Sequence, residues 1–308
     1  MPTLVTNQIA HAREDLANTI SNVDPTETPF FSSIGKTKAT AVRHEVLVDS
    51  LSPASANNAV AEGADLVDTA ATVPVRVSNI CQLMQKDIRL SGTIQAVDTA
   101  GAKTEKARLV KNRGLEIRRD LEMSLLGGQG SSATGTRYMG GYQAITATNA
   151  FGGANSAITG FSNGNISAAV DGTARSVTEA MFLDMLEKIY VSGGRPKEVL
   201  AGPKLKRAIS GFTGGAQKQQ NAEKKTINQG VDIYVSDWGT LNVNPHPYAL
   251  TKTIIAYDPE MWAVAFLRSF SVEELGKSGD SDKFMIVAEA TLEAKNEKSS
   301  GQLRDLNA

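Results

Sequence analysis

The chain has 308 residues, 41% apolar and 21% charged, enough for one large folding unit or two modest ones with a real core. Its 32 Lys and Arg against 33 Asp and Glu leave a net charge of −1, which excludes a dedicated nucleic-acid binder, because affinity for phosphates needs a cationic surplus. Cys81 stands alone, so neither an intrachain disulfide nor a cysteine-built zinc site can form, as suits a reducing cytoplasm.

Residues Met1–Asn7 lack a basic stretch followed by an apolar core, so no signal peptide is expected. Residues 7–20 are predicted as a short helix, with Ile9, Leu16 and Ile20 near one face and Asn7 as its cap. Asp24-Pro25-Thr26-Glu27-Thr28-Pro29 breaks that pattern, since each proline pushes its predecessor out of the helical region. Phe30, Phe31 and Ile34 form an apolar knot ended by Gly35. An arm with so few apolar residues has to lie on something else. From Thr40 to Ser91 two long strands are expected around a loose tip: His44–Val48, and Val73–Val77 continuing through Ile80, Leu83 and Ile88. The small-residue tract Ser52–Ala59 between them has little to bury, so this hairpin should project from the body.

Residues 93–126 carry the strongest helix signal, with Val110, Gly114, Ile117, Leu121 and Leu125 on one apolar stripe. One unbroken helix would be about 50 Å long, and Gly127-Gly128 should stop it. Residues 138–170 hold six glycines and no charge, a composition for irregular surface structure with short strands. A capping box of Ser176 and Glu179 is expected to open a helix through Met181, Met185 and Ile189, stopped by Gly193-Gly194. The strand Glu198-Val199-Leu200 and a helix opened by Pro203 continue in the manner of mixed α/β packing. Residues 213–230 read as a mobile loop. Strands follow at Ile233–Val235, Leu241–Val243, Thr253–Tyr257 and Ala263–Phe266. A closing pair, Ser271–Glu273 and Phe284–Leu292, flanks the polar tip Gly276–Asp280. The longest strongly apolar run, Trp262–Leu267, is far short of the roughly 20 residues that span a bilayer, so a soluble protein is expected.

Chemistry is sparse. His11, His44 and His246 lie in elements of different type with no nucleophile motif beside them, and read as surface or packing histidines. His44-Glu45 begins like a zinc-protease helix, but the second histidine would fall at Val48, in a strand. Gly35-Lys36-Thr37 and Gly276-Lys277-Ser278 imitate the end of a phosphate loop, yet the required earlier glycines are Phe30 and Ser271. Asn165-Ile166-Ser167 matches a glycosylation acceptor with no secretory signal to use it. No catalytic residue, metal ligand or cofactor is expected.

One charge asymmetry remains. Between Arg43 and Arg76 there is no Lys or Arg, while Glu45, Asp49, Glu62, Asp65 and Asp68 add five negative charges. Residues 103–119 hold seven cations (Lys103, Lys106, Arg108, Lys111, Arg113, Arg118 and Arg119) against Glu105 and Glu116. Three readings stand open: each charge solvates its own face, the acidic hairpin of one copy lies on the basic helix of another, or the helix faces nucleic acid.

The order of parts resembles the Hong Kong 97-like capsid fold of tailed bacteriophages, an α+β fold. Three local signatures are similar to a major capsid family: Asp24–Phe31 with Ile34-Gly35-Lys36, Tyr257-Asp258-Pro259-Glu260-Met261-Trp262-Ala263, and Asn296-Glu297-Lys298 followed by Gly301 and Leu306. The resemblance spans nearly the whole chain. It implies an N-terminal arm (1–39), an extended β-hairpin loop (40–91), a peripheral domain with a long spine helix (92–150 and 267–308) and an axial domain (170–266). It also implies a non-enzymatic shell protein in the virion, assembled in the bacterial host cytoplasm. Copies of the chain would form hexamers and pentamers around double-stranded DNA held non-specifically on the inner face, with scaffold, portal and decoration proteins as further partners. Asp49, Glu62, Asp65, Asp68, Lys103, Lys106, Arg108, Lys111 and Arg113 would then be inter-subunit contacts. Some relatives weld neighbours through a loop lysine; here Lys36, Lys38 and Lys86 lie at the hairpin base, so no such weld is expected. A phage tail or surface structural protein is the alternative, which the long basic helix fits poorly.

Overall fold

The computed structural model describes residues 22–65, 72–97, 104–162, 164–212, 220–221, 226–227, 232–277 and 279–307. The helix expected at 7–20, together with Asp68 and Lys103, lies outside them.

Pro29 occupies the first turn of a short helix, α1 (Pro29–Ser33), where its missing N–H costs nothing. Strand β1 (Gly35–Lys38) follows at once. Strands β2 (Arg43–Val48) and β3 (Val75–Ile80) make the expected antiparallel ribbon, with Val46 opposite Val77. The second ribbon strand does not run unbroken to Ile88. The Cys81 N–H turns to the Val42 carbonyl, and β4 (Gln82–Ser91) leaves the ribbon to pair elsewhere.

The helix expected over 93–126 is two helices. The first, α2 (Gly92–Ala96), is capped by Ser91 and ends at Val97, whose extended backbone cannot continue it. The second, α3 (Glu105–Leu126), has 22 residues and is therefore about 33 Å long. Its Ile117, Leu121 and Leu125 are buried as the stripe requires, and Gly127 ends it in extended backbone. The short helix α4 (Tyr142–Ile145) comes next. The expectation of surface structure over 138–170 fails at its start, since Met139, Tyr142, Ala144, Ile145 and Asn149 are buried. The cause is Tyr142, whose hydroxyl reaches 3.1 Å from both the Ala256 and Gly301 carbonyls. Gly141 permits this approach, because a Cβ there would strike the Gly127 carbonyl.

Four two-residue strands follow: β5 (Ala150–Phe151), β6 (Phe161–Ser162), β7 (Asn165–Ile166) and β8 (Arg175–Ser176). Helix α5 (Glu179–Val191) is capped by Thr178, whose hydroxyl accepts from the Met181 N–H. The expected cap, Ser176, is instead drawn into β8 opposite Asn307. Strand β9 (Glu198–Ala201) and helix α6 (Pro203–Ser210) stand where the sequence puts them. Within the expected loop over 213–230 the described residues form a small antiparallel pair, β10 (Gln220–Asn221) and β11 (Thr226–Ile227); the rest lies outside the described residues. Then come β12 (Ile233–Ser236), β13 (Gly239–Pro245) and β14 (Ile254–Tyr257). The strands expected separately at 263–266 and 271–273 are one 14-residue strand, β15 (Trp262–Leu275), with register shifts at Phe266/Arg268 and Arg268/Ser271 that keep it paired while bending it. Its partner is β16 (Ser281–Ala294), and β17 (Gly301–Leu303) and β18 (Leu306–Asn307) close the chain.

Two sheets organise the molecule. A four-stranded sheet runs β1-β15-β16-β4, with α3 packed on the face that carries Met84, Ile286, Ala288, Ala290 and Leu292. A six-stranded sheet runs β12-β13-β9-β14-β17-β5. Its Val199, Ala201, Val243, Ile254, Ala256 and Leu303 pack against α5 and α6. The alternate residues Leu200, Ile255 and Tyr257 enter the main core, so β14 is buried on both faces. Near the end of the chain, β17 sits between β14 and β5 in the six-stranded sheet, where its N–H and C=O groups complete that ladder. No helix among the described residues is long and apolar enough to cross a membrane.

Candidate assembly surfaces

One buried carboxylate caps the helix at the root of the arm. Helix α1 has no side-chain cap of its own. Glu122 of α3 supplies it, accepting the Phe30 and Phe31 N–H groups on separate oxygens at 2.8 Å each. The same carboxylate meets His246 Nε2 at 3.1 Å, with both side chains fully buried. His246 Nδ1 accepts the Ala249 N–H at 2.9 Å, so Nε2 carries the ring proton and donates to Glu122. A buried charge with three donors around it meets the condition under which such a charge is tolerated.

Phe30 then packs edge-on against Tyr142, Tyr257 and Trp262. Ser33 Oγ bonds the Tyr257 hydroxyl at 2.7 Å, and β1 continues parallel to β15 with Gly35 opposite Ala263. Trp262 Nε1 donates to Ser300 Oγ at 2.7 Å. Glu297 accepts from the Ala147 and Thr148 N–H groups, and Asn149 donates to the Lys298 and Ser300 carbonyls. The three signature segments, far apart in sequence, therefore meet around Trp262.

The ribbon is firm at its base and bare at its tip. Asn79 Nδ2 donates to the Gly140 and Leu292 carbonyls while its Oδ1 accepts the Gly140 N–H. Arg43 and Ser78 both donate to the Gly164 carbonyl. His44 lies 3.0 Å from Glu293. Further out, Leu47 is 66% and Val75 63% exposed, and residues 49–65 form no strand and are exposed throughout. Asp49, Glu62 and Asp65 are among them; Asp68 lies outside the described residues.

The cations of α3 divide into used and free. Lys106 pairs with Glu274 at 2.9 Å and sits 3.9 Å over the Phe284 ring. Arg108 pairs with Glu105, whose carboxyl this hydrogen bond holds below the usual range against a slight burial effect. Arg113 pairs with Glu116 one turn on, and Arg119 covers the Tyr248 ring. Lys111 and Arg118 are exposed, seven residues apart and so nearly in line along the helix. Among the described residues no ion pair joins the ribbon acids to the α3 cations, and Glu45 pairs with Arg76 across the ribbon. No group of three or more His, Cys, Asp or Glu side chains is placed to hold a metal ion among the described residues.

Sequence reasoning missed Glu122, Asn79 and Glu293. The signal for Glu122 was present: it stands beside Leu121 and three residues before Leu125, a carboxylate inside the apolar stripe.

Comparison with known proteins fits this architecture. Residues 3–307 match the family model of the SU10 major capsid protein. The major capsid protein of Escherichia phage Phieco32 is 25% identical, over 98% of this chain and 97% of that one. A chain from the capsid of a native GTA particle superposes with a TM-score of 0.67 at 12% identity, covering 98% of each chain. The capsid of Myoviridae phage XM1 gives 0.64 at 10% identity, over 98% of this chain and 99% of its own. The fold is that of phage capsid proteins, Hong Kong 97-like as the order of parts implied. With its model matched from residue 3 to residue 307, the chain belongs to the SU10 major capsid protein family, whose members build the virion shell of tailed phages.

Proposed function

We propose that copies of this chain assemble into the hexamers and pentamers of an icosahedral shell around double-stranded DNA, and that the acidic ribbon of each copy lies across α3 of its neighbour. The observation that carries this reading is the ribbon: its outer half exposes Leu47, Val75 and the acids Asp49, Glu62 and Asp65, and none of the described residues covers them. Apolar side chains held out on a stiff two-stranded arm gain free energy only when a second surface covers them. Exposed Lys111 and Arg118 offer the complementary charge. In this reading the four-stranded sheet with α3 is the peripheral domain, and the six-stranded sheet with α5 and α6, now including residues 301–307, is the axial domain. Self-association is the role of the family; DNA on the inner face, a scaffold, a portal and decoration proteins complete the proposed partners. Assembly takes place in the cytoplasm of the bacterial host, without catalysis and without a lysine weld through the ribbon.

Negative-stain microscopy of the purified chain tests the first part. Closed particles of uniform diameter are expected, whereas tubes, rings or lone trimers point to a tail or surface role. Charge reversal tests the second. Asp65→Lys with Asp68→Lys should abolish particles at low salt, and adding Lys111→Glu with Arg118→Glu should restore them. Lys106 is a poorer choice for the compensating change, since it already serves Glu274. Normal assembly of the reversed ribbon at low salt sinks the pairing.

A further inference from the structure

Glu293 of β16 lies where the arm, the ribbon and the four-stranded sheet meet. Its Oε2 accepts from Thr37 Oγ1 of β1 at 2.6 Å and faces His44 Nε2 of β2 at 3.0 Å. The Glu293 and His44 side chains are only 10% and 18% exposed. One oxygen therefore holds both segments that lead away from the body. A small cavity flanks the pair, lined from the other packed elements by Ser78 and Asn79 of β3, Ile145 of α4 and Ile166 of β7, none of them titratable. The charges on these elements turn elsewhere, Glu289 of β16 to Arg137 and Arg268. Lys36 and Lys38, beside Thr37, are exposed; Arg43 bonds the Gly164 carbonyl; Glu45 pairs with Arg76 on the opposite side of the ribbon.

We propose that Glu293 and His44 form a charge-dependent latch that sets how firmly the ribbon is held at its base, and so how readily it swings toward a neighbouring copy. The link to assembly rests on the ribbon reading given above. Because Nε2 faces a carboxylate, it carries the proton of the neutral ring, and protonation adds the second proton at Nδ1. The bond to the Glu293 carboxylate then becomes a full ion pair in place of a neutral donor on an anion, and the added coulombic attraction strengthens it. The latch is tight with the His44 ring doubly protonated and slack with it neutral. Thr37 does not titrate in this range, so the arm stays bound while the ribbon loosens.

Hydrogen exchange of the full-length chain at pH 5.5 and 8.0, expressed as protection relative to intrinsic rates, reads the latch without requiring a shell. The amides of Arg43–Val48 and Val75–Ile80 should be about fivefold less protected at pH 8.0, the upper end of what a partly exposed ion pair adds. His44→Gln keeps a neutral donor and should show the same protection at both pH values, and Glu293→Gln gives an independent second case. Equal protection of the unaltered chain at both pH values, or an undiminished pH response in both variants, overturns the latch. The charge-reversal assembly assay is separate: a reversed ribbon that still forms particles removes the ribbon–helix pairing, while the exchange result continues to judge the latch.

Discussion

Glu122 is the residue on which the arm depends. Replacing it with alanine strands the Phe30 and Phe31 N–H groups and His246 Nε2–H in a dry site. Breaking a buried charged network in this way costs about 3–5 kcal/mol, so Glu122→Ala should lower the denaturant midpoint accordingly and release the arm to proteolysis near Phe30. Asp305 supplies a second residue-scale expectation. It stands in left-handed backbone (φ 57°) and accepts the Gly153 and Gly172 N–H groups at 2.9 Å each. Burial raises its pKa, but these bonds outweigh that and hold the carboxyl below its usual range. A depressed carboxyl contributes stability above its unfolded value of about 3.9 and loses it as pH falls through the folded one. Asp305→Asn should therefore be less stable than the native chain at pH 7, with the gap closing below about pH 4 in denaturant titrations. Cys81 is buried, and desolvation, with Glu289 adding to it, pushes its thiol up to about 11. It should stay unreactive toward iodoacetamide at pH 8 until the chain is unfolded, as mass spectrometry would record.

At the scale of elements, the ribbon was legible because period-two alternation and a small-residue tip are both local properties of the sequence. The break in the spine helix was not. Val97, Asp98, Thr99 and Gly101 are weak helix formers, but propensity alone does not place a boundary; the turn at Val97 and the packing of α3 against β4 and β16 do. The cap of α5 shows the same limit. Ser176 and Thr178 are both good caps three residues before a usable N–H, and the choice went to Thr178 because the C-terminal strand claims Ser176. The burial of 139–149 was hidden for a related reason: a glycine-rich, uncharged segment reads as a loop unless one knows that Tyr142 has a pocket waiting between β14 and β17. A test at this scale concerns the ribbon alone. Among the described residues, 49–65 hydrogen-bond only within themselves. Replacing 49–74 with an Asn-Gly turn between the paired Val48 and Val75 should leave the melting temperature within about 2 °C while abolishing particles.

For the whole molecule, the three signature segments were recognisable from sequence, but their meeting around Trp262 was not, because sequence order carries no record of which distant stretches touch. That meeting couples the two sheets through Tyr142, Tyr257 and Trp262, whose rings lie between them. The candidate contact residues were legible as a charge pattern; the structure separates Lys106, Arg108 and Arg113, already paired within the chain, from Lys111, which is exposed.

The position of β17 carries a consequence for synthesis. Gly301–Leu303 is an interior strand, with β14 on one side and β5 on the other, and these come from residues 254–257 and 150–151. Until translation has passed residue 303, β14 is an open edge and β5 has no partner in that sheet. A growing polypeptide on the ribosome therefore lacks a finished six-stranded sheet, and the open β14 edge stays a template for stray pairing until the chain's own last strands cover it.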